Sequence, residues 1–145
     1  MIATVSGCSS VYDIRAVVIG GKLAFVAGTN FFGNPDCVRS ISVTSLDGPP
    51  ATSVPGDDVT AVKRGVYWQQ IFAVTSCENP YPVEYGEQLS GPLFVFADGE
   101  TRSVEAKPLV RGVTYEVTAE SSGSAYGGGK FRITDDGRVI NLSVE

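Results

Sequence analysis

The sequence contains no histidine. That single absence removes the commonest general base, the commonest metal ligand and every Ser-His or Cys-His nucleophilic arrangement, and it points away from hydrolases to a non-catalytic protein. Charge is also sparse. Charged residues make up 19% of the chain, and 11 Lys and Arg against 16 Asp and Glu leave a net charge of −5. The cations are scattered, as at Lys63-Arg64 and Arg138, so no basic block exists to grip a phosphate backbone, and nucleic acid is not expected as a partner. No apolar run reaches the roughly 18 residues of a membrane-spanning helix, and no repeat of solenoid or propeller period is present.

Catalytic and ligand-binding motifs are missing as well. The chain has no Gly-x-Ser-x-Gly elbow, no zinc-ligand spacing and no regular acidic spacing of a calcium loop, so no cofactor or metal is expected. The acidic pairs Asp57-Asp58 and Asp135-Asp136 are sequence neighbours, whose side chains point to opposite faces of a strand rather than across a cleft. The glycine run from Gly123 to Phe131 has the wrong spacing for a phosphate loop and is read as a flexible hairpin loop.

What is present is strand-forming sequence cut by turn signals. Seventeen glycines and eight prolines are spread along the chain. Between them lie runs rich in Val, Ile, Thr, Phe and Tyr. Gly20-Gly21 predicts a hairpin between Val11 to Ile19 and Lys22 to Ala27, because both glycines can take positive φ. Further strands are predicted at Val38 to Ser45, Asp58 to Lys63 and Val66 to Thr75, with Gly56 to Val62 the alternative window for a short helical turn. Asp98-Gly99 is expected to turn Leu93 to Ala97 into Thr101 to Ala106, and Asp136-Gly137 to turn Phe131 to Thr134 into Arg138 to Leu142. A length of 145 residues suits one core. The domain is expected to run from 11 to 145, with 1–10 standing apart from it.

From Leu109 to Val117 a Leu and a Tyr flank a turn, and Val113, Tyr115 and Val117 alternate with Thr114, Glu116 and Thr118. This resembles the tyrosine corner of immunoglobulin and fibronectin type III domains, in which the hydroxyl bonds back to the backbone just upstream. The resemblance implies an all-β, antiparallel β-sandwich of Ig-like, Greek-key type, and says nothing of function.

Three cysteines divide unevenly. The segment Val5-Ser6-Gly7-Cys8 resembles the lipobox of bacterial lipoproteins, although the residues ahead of it lack a charged n-region and most of an apolar h-region, so Met1 is read as an internal or misassigned start. The resemblance implies lipidation of Cys8 and, with Ser9 following it, an anchor on the periplasmic side of the outer membrane. Without export, Cys8 is an ordinary thiol.

Cys37 and Cys77 sit at the start of one predicted strand and the end of another. Paired antiparallel and directly opposed, they would place Val43 against Ile71, Ile41 against Ala73 and Arg39 against Thr75, with Trp68, Phe72 and Val74 facing a core. A disulfide there implies an oxidising compartment; the alternative is two reduced, buried thiols. The bridge would bring the loops carrying Phe31, Phe32, Tyr81 and Tyr85 to one edge, a candidate surface for an envelope protein or a glycan. The same aromatics could instead plug the open end of the fold.

Overall fold

The computed structural model describes residues 10–28, 37–73, 78–121 and 125–142. The predicted first hairpin is present: β1 (Ser10–Ile19) pairs antiparallel with β2 (Lys22–Ala27) from Ile19↔Lys22 to Ile14↔Ala27. Gly20 and Gly21 turn it at φ of 60° and 82°, where an L side chain is strained. β3 (Val38–Ser45) has the expected span. After it come the short helix α1 (Val59–Lys63), β4 (Val66–Ile71) and the two-residue β5 (Val83–Glu84). β6 (Thr114–Ser121), β7 (Ala125–Ile133) and β8 (Val139–Leu142) complete the set.

The protein is all-β, and its eight strands form one hydrogen-bonded sheet in the order β4-β3-β6-β7-β1-β2-β5, with β8 also on β7. The sheet is mixed rather than wholly antiparallel, because β1 runs parallel to β7 from Ser10↔Ala125 to Asp13↔Gly128. β7 therefore has two partners along one edge. Its first half takes β1, and its second half takes β8 from Lys130↔Leu142 to Ile133↔Val139.

β1 leaves β7 where β8 begins, and Asn141 spans the fork. The Ala16 N–H donates to Asn141 Oδ1 at 2.7 Å, and Asn141 Nδ2 donates to the Ala16 carbonyl at 2.8 Å. The amide side chain thus supplies the donor and acceptor that a neighbouring strand would supply.

The sheet curls until its ends meet. Tyr85, just past β5, donates from its hydroxyl to the Lys107 carbonyl at 2.7 Å and packs edge-on to Trp68 of β4 at 5.2 Å. Gln70 of β4 donates from Nε2 to the Glu87 carbonyl at 2.9 Å and accepts from the Leu89 N–H. The enclosed core includes Tyr12, Ile14, Phe25, Ile41, Val43, Trp68, Phe72, Tyr115, Val117 and Phe131. On β6 the expected alternation holds: Tyr115, Val117 and Ala119 are buried, while Thr114, Glu116 and Thr118 are not.

Several local expectations are corrected. Residues 58–63 were expected as a strand and form α1, because the Asp58 carboxylate accepts from the Thr60 and Ala61 N–H groups at 3.1 and 3.3 Å and so caps a helical turn. The helix seals a small satellite core of Ala61, Val62, Val66 and Val104. Residues 93–97 and 101–106 carry only isolated bridges, Phe72↔Leu93 and Gln69↔Val104, along the outer edge of β4. A left-handed Arg102, at φ 59°, interrupts the second of these segments.

The β3–β4 pair is antiparallel as expected but shifted by three residues in register: Ser40, not Val43, faces Ile71, and Val43 faces Trp68. Both Trp68 and Phe72 reach the core all the same. The glycine run is not a loop. Gly127, Gly128 and Gly129 lie inside β7, where a Cβ on Gly129 would sit 2.0 Å from the Ile14 carbonyl oxygen and one on Gly127 would sit 2.3 Å from the Tyr12 ring. Only glycine lets β1 lie this close.

Candidate functional site

Three of the sequence-nominated residues, Cys37, Tyr81 and Tyr85, are among the described residues. Cys8, Phe31, Phe32 and Cys77 lie outside the described residues. Cys37, at the head of β3, is wholly buried and engaged rather than free.

Tyr81 and Tyr85 both turn inward. The Tyr81 hydroxyl meets that of Tyr12 at 2.9 Å, and Tyr12 continues to Ser121 Oγ at 2.8 Å, making a hydroxyl chain. Burial, reinforced by Tyr12, pushes the Tyr81 phenol well above its ordinary value. Burial likewise raises Tyr85, against the opposing bond to the Lys107 carbonyl. These hydroxyls stay neutral and act as structural hydrogen-bonding groups.

The tyrosine-corner expectation is met at the level of the bond itself: the Val110 N–H donates to the Tyr115 hydroxyl at 2.8 Å. Burial pushes Tyr115 up to about 12, with the Val110 bond opposing. A second internal clasp joins distant loops. Asp57 accepts from the Val54 and Glu105 N–H groups at 2.8 Å and pairs with Lys107, both side chains being almost completely buried. Burial raises the Asp57 carboxyl, but the Lys107 bond and the two backbone N–H groups outweigh it and hold its pKa below the usual value. Among the described residues no group of three or more Cys, Asp or Glu is placed to hold a metal ion. No described helix is long and apolar enough to cross a membrane.

The feature that sequence reading missed lies where the curled ends of the sheet face each other. A cleft of about 400 Å³ opens there, lined by residues that include Trp68, Gln69, Gln88, Leu93, Ser103 and Glu105. Its floor is Trp68, which is only 1% exposed. The ring itself belongs to the enclosed core and packs against Tyr85. At the rim, Glu105 is exposed. The sequence did carry a signal: the single tryptophan is followed at once by Gln69 and Gln70. Placing them beside Glu105 takes the curl of the sheet. No protein-family model matches the chain, and no curated protein or solved structure matches it either.

Proposed function

We propose that this is a non-catalytic, lipid-anchored protein of the bacterial cell envelope, held by Cys8 on the periplasmic side of the outer membrane and serving a structural or partner-binding role. The observation that carries the reading is the position of β1, which is in the ladder from Ser10, two residues after Cys8. Acyl chains on Cys8 would therefore hold the sheet close to the bilayer without an intervening linker, and several chains make such attachment effectively permanent where one does not.

The proposal includes a bridge between Cys37 and Cys77. The corrected register removes direct cross-strand opposition as the route. What supports the pairing is the Val38 N–H, next to Cys37, donating to the Asn79 carbonyl at 2.9 Å, which brings the chain beside Cys37 just after Cys77. Closing that loop would contribute about 4 kcal/mol in the chain-entropy model. The sandwich of immunoglobulin or fibronectin type III type is retained as a reading of the curled sheet, supported by the Val110–Tyr115 bond.

A second reading, a carbohydrate- or peptidoglycan-binding module, is favoured by the cleft over Trp68 rather than by an aromatic edge of Tyr81 and Tyr85. Intact mass of the natively produced protein tests the first reading. Acylation at Cys8, partition into detergent and release to the soluble fraction in Cys8→Ala support it. An unmodified Cys8 in a soluble chain would falsify it. Alkylation before and after reduction reads the bridge separately: Cys37 and Cys77 should react only after reduction.

A further inference from the structure

One face of the sheet carries charges that the chain does not pair. Along β1, the exposed Val11, Asp13 and Arg15 and the half-buried Val17 alternate with the buried Tyr12, Ile14 and Ala16, so all four belong to the outer face. On β7, Tyr126, Lys130 and Arg132 alternate in the same way with the buried Gly127, Phe131 and Ile133. Register joins these residues into one surface. Val11 lies beside Tyr126 and Asp13 beside Gly128, while Leu142 of β8 and Glu116 of β6 flank Lys130. None of Asp13, Arg15, Glu116 and Lys130 belongs to the ion pairs formed among the described residues. Exposed apolar side chains stand between the charges: Val11 is 75% exposed and Tyr126 49%, with Ile140 and Leu142 also exposed. At the fork between β1 and β8, a notch of about 250 Å³ is lined by residues that include Asp13, Arg15, Gly128, Lys130 and Leu142.

The order of the charges selects the partner. An anionic surface would meet Asp13 and Glu116 as closely as Arg15 and Lys130, and a cationic one the reverse. An apolar partner would leave all four charges without counterparts. A fitting partner carries both signs interleaved with apolar groups, and β1 itself does so in a self-complementary order: apolar, acidic, basic, apolar from Val11 to Val17.

We propose that this face forms a two-fold dimer with a second copy of the chain. With β1 laid antiparallel on its copy, about an axis level with Ile14, Asp13 meets Arg15 of the second copy and Val11 meets its Val17. Each contact is made twice, as an isologous interface requires. Packed sheets lie about 10 Å apart, a gap that an aspartate and an arginine reaching from opposite sides can close. Gly129 is level with Ile14 on β7, so the same axis sets Lys130 of the second copy over Gly128, which has no side chain to obstruct it. The inference goes beyond the function proposed above and is independent of the anchor.

Sedimentation equilibrium of the full chain carrying Cys8→Ala, which excludes a disulfide between copies through that thiol, makes the measurement. The face is small, so dimers should form with a Kd on the order of 0.1 mM, weakening at least about three-fold when salt is raised from about 0.15 M to about 1 M. Concentration-dependent amide shifts in the ¹⁵N-labelled chain should fall on β1, β7 and β8. Asp13→Arg and Arg15→Asp each set like charges face to face and should raise the Kd at least about ten-fold, whereas the double variant, which exchanges the two charges, should return it to within about three-fold of the parent. Both positions are exposed, so all three variants should keep the native spectrum. A chain that stays monomeric to about 1 mM, single swaps without effect, or a double variant no tighter than the singles overturns the proposal. So does a monomer that sediments with phosphatidylglycerol vesicles, which would assign the face to a bilayer instead.

Discussion

Replacing Asn141 tests whether one side chain holds the fork between β1 and β8. Its amide makes two bonds, at 2.7 and 2.8 Å, to the backbone of Ala16, a residue that is 2% exposed. In Asn141→Ala both Ala16 groups lose their partner in a place water reaches poorly. With roughly 1–2 kcal/mol lost for each group, the expected destabilisation is about 2–4 kcal/mol. For a chain of 145 residues that lowers Tm by roughly 6–12 °C.

Asn141→Asp discriminates further. It keeps an acceptor for the Ala16 N–H but sets a carboxylate against the Ala16 carbonyl, so at neutral pH it should be no more stable than the alanine variant. Protonation restores a donor, so the pKa of this carboxyl is raised in the folded state. Its contribution is complete below the unfolded value near 4 and is lost as pH rises through the folded one. The aspartate variant should therefore gain on the alanine variant at acid pH. Urea unfolding followed by Trp68 fluorescence, with exchange of the Ala16 amide, makes the measurement. A loss below about 0.5 kcal/mol with unchanged Ala16 protection would refute the reasoning.

Three further perturbations probe other parts of the fold. Gly129→Ala, whose Cβ would meet the Ile14 carbonyl at 2.0 Å, should destabilise by about 3 kcal/mol or more, whereas Gly128→Ala, with 3.7 Å to the Val117 carbonyl, should cost under about 1 kcal/mol; thermal melts compare them. Tyr115→Phe removes the acceptor for the Val110 N–H and should cost about 1–2 kcal/mol by chemical denaturation. Asp57→Asn leaves Lys107 buried with no counter-charge and should cost about 3–5 kcal/mol at neutral pH. Since the folded Asp57 pKa is depressed, its contribution is present above the usual carboxylate value near 4 and fades as pH falls through the folded value, so the variant should lose part of the acid-side slope of stability.

Much of the local structure was legible. The Gly-Gly and Asp-Gly turns, the span of β3, the alternation along β6 and the inward course of Trp68 and Phe72 all follow from side-chain period and turn chemistry, which act over a few residues. So does the bond from Val110 to Tyr115, whose partners are five residues apart. One failure was local in cause, since a capping Asp58 outweighed strand propensity at α1; another was not, since the glycine run reads as a loop unless a second strand is known to cross it.

Composition, turn residues and apolar alternation by themselves determined that this chain would be strand-rich and, to within a residue, where β1, β2, β3 and β8 would begin and end. Tertiary structure decided the parallel seating of β1 on β7, the three-residue register difference between β3 and β4, the Asn141 clasp and the meeting of Trp68, Gln88 and Glu105 around one cleft. The reason is that these depend on contacts between residues as far apart as Ala16 and Asn141, and such contacts form only where the curl of the sheet brings distant faces to packing distance.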